Sequence, residues 1–368
     1  MTTSTPTFPP NQRDNALHDW LIQTFMDKTI AHQRLLGDAS FRAYHRLQVQ
    51  AKDSTQHYIV MDAPPQKESI KEFIAVAKLL KTHGVNAPQL IAMDEVQGFL
   101  VLEDFGATDF ADKIGNHDPK NSDSLYQTAM QTLIAIANID NNQARQQADL
   151  PDYDTALLSR EMGLFSEWFL PFLDIKMDKT SEDIWQNLQQ TLIEQITAQP
   201  EVVVHRDFHS RNLMILDTDN LTTTPLGVID FQDAVIGAYT YDLASLLRDA
   251  YIDFDETWVS EQLAKFYQLA TIGEKYDKSL AQFTADFNVT SLQRHLKVLG
   301  IFIRLSQRDG KDRYLANIPK VMADLMHSAK WLSNNLIHPK KAEFTAFYNW
   351  LNDTVLPQFN QKFNQTLT

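Results

Sequence analysis

Residues 205–212 read HRDFHSRN, with the β-branched run VVV immediately before them and LMIL immediately after. A strand that empties into two histidines, two arginines and a carboxylate and then resumes as another apolar strand leaves the chain few ways to fold at this point. The two histidines are four residues apart, the interval at which a helix would aim both at one metal. The run before His205 is β-forming, however, and no third ligand of suitable spacing follows, so a zinc clamp is set aside. The segment has a second half. Leu213 to Leu216 reads as a strand, DTDNLTTTP as a polar turn, and Leu226 to Ile229 as a return strand ending in Asp230, Phe231, Gln232 and Asp233. Such a hairpin brings the Asp230 carboxylate back beside Asn212 at its base.

Phosphoryl transfer needs this set of groups. Its catalytic loop carries His-Arg-Asp and, after four intervening residues, Asn; the Asp takes the proton of the acceptor hydroxyl and the Asn holds Mg²⁺. His205, Arg206, Asp207 and Asn212 match position for position, with His205 as an organiser of the loop. Asn212 and Asp230 are oxygen donors suited to Mg²⁺. The next segment, Tyr241 to Tyr251, places Leu243, Leu246, Leu247 and Ala250 on one helical face, with Asp242 at its start. Asp242 is either an N-cap or a brace under the loop.

At 368 residues the chain exceeds what one hydrophobic core usually organises, so two lobes are expected. Residues 1–14 read as a disordered tail, and 15–102 as a small β-rich lobe that binds nucleotide. That lobe opens with a helix on Leu17, Trp20, Leu21 and Phe25. Strands follow at His32 to Leu36, Phe41 to Val49 and His57 to Met61, then a helix at Glu68 to His83 and strands at Pro88 to Met93 and Gly98 to Glu103. Residues 103–106 form the hinge, and 107–368 a larger, mainly helical lobe with the catalytic loop and substrate site. The fold class is α+β and bilobal. A net charge of −14 without a dense Lys/Arg block argues against nucleic acid. The acidic balance suits a cationic substrate, a Mg²⁺-dependent enzyme or plain solubility. The absence of cysteine excludes disulfides and thiolate chemistry. No apolar run approaches the ~20 residues of a membrane span, and MTTSTPTFPPNQRDN lacks the pattern of a secretory signal. A cytoplasmic monomer, free of membrane and nucleic acid, is expected.

With these motifs in place the chain resembles the aminoglycoside phosphotransferase family, whose kinase-like fold also includes choline kinases. Within it, the chain is most similar to bacterial kinases that phosphorylate N-acetylmuramate and N-acetylglucosamine at C1 in peptidoglycan recycling. The resemblance runs from GDASFRAY and YIVMDAPP through FLVLEDFG, SREMGLFSEWFL and VVVHRDFHSRNLM to GVIDFQDAVIGAYTYDLASLLRDAY and QRHLKVLGIFIRLSQRDGK. It implies ATP and Mg²⁺ as cofactors, an amino sugar as acceptor, Asp207 as base, Asn212 and Asp230 as metal ligands, and Asp242 as a brace. It further implies adenine contacts around Leu102, Glu103 and Asp104, and phosphate contacts from Gly37 and Ser40 in GDAS.

One departure stands out. The third strand carries Met61 and Asp62 where a kinase places its phosphate-binding lysine. Arg42 and Arg46 on the second strand are candidates for the missing charge, with Glu72 to orient one of them, or they are ordinary surface arginines. For the sugar, Arg160, Glu161 and Trp168 are candidates, with core packing and ordinary ion pairing as the competing reading; His209, Asp233 and Arg248 are further candidates near the loop. An aminoglycoside or amino-alcohol kinase, and a catalytically silent binding module, remain alternatives. A carboxylate-rich acceptor cleft would favour the cationic substrate, and an arginine in the cleft would favour muramate.

Overall fold

The computed structural model describes residues 10–26, 28–35, 41–114, 119–216 and 226–367. Helix α1 (Pro10–Thr24) begins inside the stretch read as a tail, and residues 1–9 lie outside the described residues. Five antiparallel strands follow, β1 (Thr29–Arg34), β2 (Ala43–Gln50), β3 (Thr55–Asp62), β4 (Leu90–Asp94) and β5 (Phe99–Glu103), with α2 (Lys71–Thr82) between β3 and β4. The spatial order is β1-β2-β3-β5-β4.

Alternation along the strands gives this sheet two covered faces. Val60, Phe99 and Val101 point to α1 and pack on Leu17, Leu21 and Phe25. Met61, Leu100 and Leu102 point the other way and join the main core with Phe73, Val76 and Leu80 of α2. This explains the departure on the third strand. Met61 is fully buried, and Asp62 is held by Arg13 of α1 through Nε at 2.7 Å, so neither position faces a ligand.

The larger lobe contains α3 (Phe110–Ile114), α4 (Pro119–Ala137), α5 (Asn141–Ala148), α6 (Thr155–Leu164), α7 (Leu170–Phe172) and α8 (Lys179–Thr197), then β6 (Glu201–Val204), β7 (Leu213–Ile215), β8 (Leu226–Val228) and β9 (Val235–Ala238). Helices α9 (Tyr241–Leu247), α10 (Glu256–Leu269), α11 (Ile272–Tyr276), α12 (Leu280–Asp309), α13 (Ile318–Asn335), α14 (Lys341–Trp350) and α15 (Leu356–Phe363) complete it. The strands form two antiparallel pairs, β6 with β9 and β7 with β8. Helix α12 spans 30 residues between a capping box, Ser279 with Gln282, and Gly310 in the left-handed region at φ 66°. It is buried along most of its length and crosses the π-helical turn Phe165–Phe169 that follows α6. The fold is α+β and bilobal, and its catalytic hairpin lies between the lobes: Val228 N donates to the Asn86 carbonyl at 2.8 Å, tying β8 to the small lobe.

Candidate active site

Strand β6 delivers the chain into the loop, and the groups beneath it fix the loop's path. Asp242, at the start of α9, accepts the backbone N–H of His205 at 2.6 Å and of Arg206 at 2.9 Å. It caps no helix, since the residue before α9 has no side-chain cap. Burial pushes its carboxyl up to about 7, against the pull of those two amides. Arg206 itself lies in the left-handed region at φ 78°. Its carbonyl accepts from Arg294 Nη1 at 3.2 Å, so both polar groups of this residue are held.

His205 is buried, which lowers its pKa to about 4 and keeps the ring neutral. Nε2 donates to the Ile229 carbonyl at 3.0 Å, which leaves Nδ1 to accept from Asp207 N at 3.3 Å. The ring therefore links the start of the loop to the end of β8, beside Asp230. Burial alone would raise the Asp207 carboxyl, but the charges of Lys297, His209, Arg294 and Arg206 outweigh it and hold the group well below the usual carboxylate range. Asp207 is thus an ionised acceptor, as a base must be.

Asn212 Nδ2 donates to the Asp207 carbonyl at 2.9 Å and stands 3.5 Å from Asp230 Oδ2. Asp230, at φ 63°, accepts from Gln232 Nε2 at 2.9 Å. Its carboxylate opens to solvent through the cleft, yet the protein packed around it raises its pKa; Gln232 pulls that back and the charge of Asp207 adds to it. Among the described residues no Lys, Arg or His forms an ion pair with Asp230. Nor is there a cluster of three or more His, Cys, Asp or Glu able to hold a metal unaided. An Asn oxygen and a carboxylate without a cation fit Mg²⁺, which takes one or two protein ligands and completes its shell with water and phosphate.

On the small-lobe side, Leu102 and Glu103 end β5, and Glu103 N donates to the Gln89 carbonyl at 2.9 Å. Asp104 accepts from Gly106 N at 2.8 Å and from Arg46 Nη2 at 3.1 Å, and Arg46 Nη2 also donates to the Gly106 carbonyl at 2.7 Å. Arg46 therefore clamps the connector. Arg42 lies one residue before Ala43, which pairs with Asp62, so it stands beside the third-strand position that lacks lysine. It pairs at 2.9 Å with Glu68, four residues ahead of Glu72, whose carboxylate accepts from Ser69. The Tyr44 hydroxyl, pushed up to about 12 chiefly by burial, feels Asp230, Arg42 and Glu68 together, which puts Arg42 on the cleft face. Gly37 and Ser40 lie outside the described residues.

Across the loop from the hinge stands a wall that the motifs did not announce. Glu161 of α6 is buried and accepts from Arg206 Nη2 at 2.6 Å, from Lys297 Nζ at 3.2 Å, from Gln293 Nε2 at 3.3 Å and from the Tyr153 hydroxyl. Burial would raise its carboxyl, but Lys297 and Arg206 outweigh this and hold it below the usual range. Lys297 Nζ also donates to the Tyr241 hydroxyl at 3.3 Å, and the Arg294 guanidinium lies 5.0 Å from the centre of the Tyr241 ring. Gln293, Arg294 and Lys297 are polar positions of α12 turned inward, Arg294 onto the loop and the other two onto Glu161. Of the other expected sugar contacts, Arg160 is exposed, and Trp168 is half-buried in the π-helical turn. Asp233 is exposed and offers its carbonyl to Arg206 Nη1 at 3.3 Å. His209 lies edge-on to Tyr251 with Nε2 3.4 Å from Asn212 Nδ2, beside the metal-type pair. Arg248 pairs with Glu256 at 2.6 Å and links α9 to α10.

Residues 32–274 match the model of the phosphotransferase enzyme family. An N-acetylmuramate/N-acetylglucosamine kinase of Pseudomonas aeruginosa is 38% identical over 77% of this chain and 79% of its own length. A protein of the same name from Neisseria meningitidis is 36% identical over 84% of this chain and 89% of its own. Among solved structures, an ethanolamine kinase of Plasmodium vivax superposes with a TM-score of 0.57 at 12% identity over 93% of each chain. A GDP complex of aminoglycoside 2'-phosphotransferase-IIIa gives 0.56 at 16% identity, over 83% of this chain and 97% of that one. These two share the fold. The match spans the small lobe, the loop and the carboxylate hairpin together, and the chain belongs to the phosphotransferase enzyme family.

Proposed function

We propose that this protein transfers the γ-phosphoryl group of ATP to the anomeric C1 hydroxyl of N-acetylmuramate or N-acetylglucosamine, in the cytoplasm, during cell-wall recycling. The observation that carries this reading is the charge of the wall beside Asp207. Arg206, Arg294 and Lys297 converge there, the first and last on Glu161, which favours a neutral or anionic acceptor over a cationic aminoglycoside. Kinases 38% and 36% identical to this chain carry names for these two sugars.

In this reading Asp207 orients the C1 hydroxyl and takes its proton as the oxygen attacks phosphorus in line. The anomeric hydroxyl is more acidic than other sugar hydroxyls, so a strongly ionised carboxylate suffices. Asn212 and Asp230 hold Mg²⁺, which neutralises the triphosphate when bound. Backbone groups around Glu103 receive the adenine. Arg42, steadied by Glu68, stands in for the third-strand lysine. The protein's contribution is positioning and preorganised charge.

Phosphorus NMR of the product tests it. A phosphate coupled to the anomeric proton, with loss of the reducing end, is expected; phosphate on any other hydroxyl would overturn the assignment of C1.

A further inference from the structure

Of the three Lys and Arg side chains around Asp207, one has no carboxylate within ion-pair distance among the described residues. Arg206 and Lys297 both reach Glu161, at 2.6 and 3.2 Å. Arg294, only 6% exposed, forms no ion pair with a carboxylate among the described residues. Its Nη1 donates to the Arg206 carbonyl at 3.2 Å, and its guanidinium lies 5.0 Å from the centre of the Tyr241 ring. The charge of Asp207 acts on it from beyond ion-pair distance, and a guanidinium so far out of water gains from an anion in direct contact. It also sits at a telling place: bonded to the carbonyl of the residue before the base, yet not ion-paired with the base itself.

We propose that Arg294 is the seat for the carboxylate of an anionic acceptor, the lactyl group at C3 of N-acetylmuramate, and so sets the preference for that sugar over uncharged N-acetylglucosamine. The inference rests on the function proposed above. C1 and C3 lie one carbon apart on the pyranose ring. A sugar with its C1 hydroxyl on Asp207 therefore extends its C3 substituent to a cation beyond ion-pair reach of the base but on the same side of the loop. The planar fork of arginine suits a carboxylate, and the Tyr241 ring fixes its plane. Arg160, the arginine nearer to expectation, is exposed on α6.

The test is the ratio of kcat/KM for N-acetylmuramate to that for N-acetylglucosamine, measured with ATP and Mg²⁺ for wild type, Arg294→Met and Arg294→Lys. The ratio is expected to fall by about 10- to 100-fold in Arg294→Met, the range of a hydrogen bond to a charged group, through KM for the muramate, with partial recovery in Arg294→Lys. A ratio unchanged while both sugars lose turnover would make Arg294 a support of the loop and overturn the proposal. Should Arg294→Met fail to fold, Arg294→Lys decides alone: a reduced ratio supports the seat and an unchanged one overturns it. Wild-type turnover confined to N-acetylglucosamine also overturns it. Wild-type protein that phosphorylates neither sugar overturns the parent reading as well, which separates the two failures.

Discussion

Arg206 and Asp230 both hold left-handed backbone without being glycine, at φ 78° and 63°. Such positions cost roughly 1–3 kcal/mol each and persist only where surrounding contacts over-determine them. At Arg206 those contacts are Asp242 on the N–H and Arg294 on the carbonyl. Replacing Asp242 with Ala strips two amides of their acceptor, and a loss of about 1–3 kcal/mol per unsatisfied group is expected, read by denaturant unfolding; a loss near zero would remove the brace. Asp207→Asn should lower kcat by ~10²–10⁴ with the melting temperature kept, the usual range for a general base; near-normal turnover would refute its role. Asp207, Asn212, Asp230 and Asp242 were legible because each sits at a fixed spacing within a strand-loop-hairpin-helix order. Arg46 was misread as a possible phosphate ligand because strand periodicity gives the face of a side chain and not its reach. Its guanidinium ends on Asp104 and Gly106.

At the scale of elements, α12 connects fold and site. Its stripe of Leu292, Leu296, Leu299 and Ile303 reads as an ordinary amphipathic helix, and the polar side of such a helix is assigned to solvent. The structure buries Gln293, Arg294 and Lys297 instead, with Arg294 on the loop and the other two on Glu161. Their partners, Glu161, Tyr153, Tyr241 and Arg206, are 56 or more residues distant in sequence, so no local pattern encodes the inward turn. Gly300 marks the crossing: a Cβ there would stand 2.4 Å from the backbone carbon and oxygen of Leu164. Gly300→Ala should therefore destabilise by about 1–3 kcal/mol, as overpacking does. It should also displace Arg294 and Lys297, so thermal unfolding and kcat are expected to fall together; a variant as stable as wild type would show the crossing to be loose. The small sheet was more legible. Its alternation placed every strand to within a few residues, and Val60 and Met61 on opposite faces account for the missing lysine.

The whole molecule should respond to acid through groups that are buried in different charge states. His205 and His295 are lowered by burial to about 4 and about 3, so the unfolded chain takes up their protons first as the pH falls below 6.5, and acidification favours unfolding. Asp242 acts oppositely. Raised to about 7, it holds a proton in the folded state that the unfolded chain releases above its ordinary 3.8, so it favours folding as the pH falls from 7 to 4. With His32 and His45 also lowered by burial, and Asp62 and Asp230 raised as Asp242 is, four histidines stand against three carboxyls; the melting temperature should fall between pH 7 and 4.5, and His295→Leu should flatten that fall, whereas an unchanged slope would leave His295 no part in it. A cationic wall beside an ionised Asp207 should admit an amino sugar and turn away a polycation. The direct measurement is phosphate transfer from ATP with Mg²⁺ to N-acetylmuramate, N-acetylglucosamine and kanamycin side by side. Turnover of the amino sugars with kanamycin left untouched is the predicted result, and turnover of kanamycin alone would contradict it.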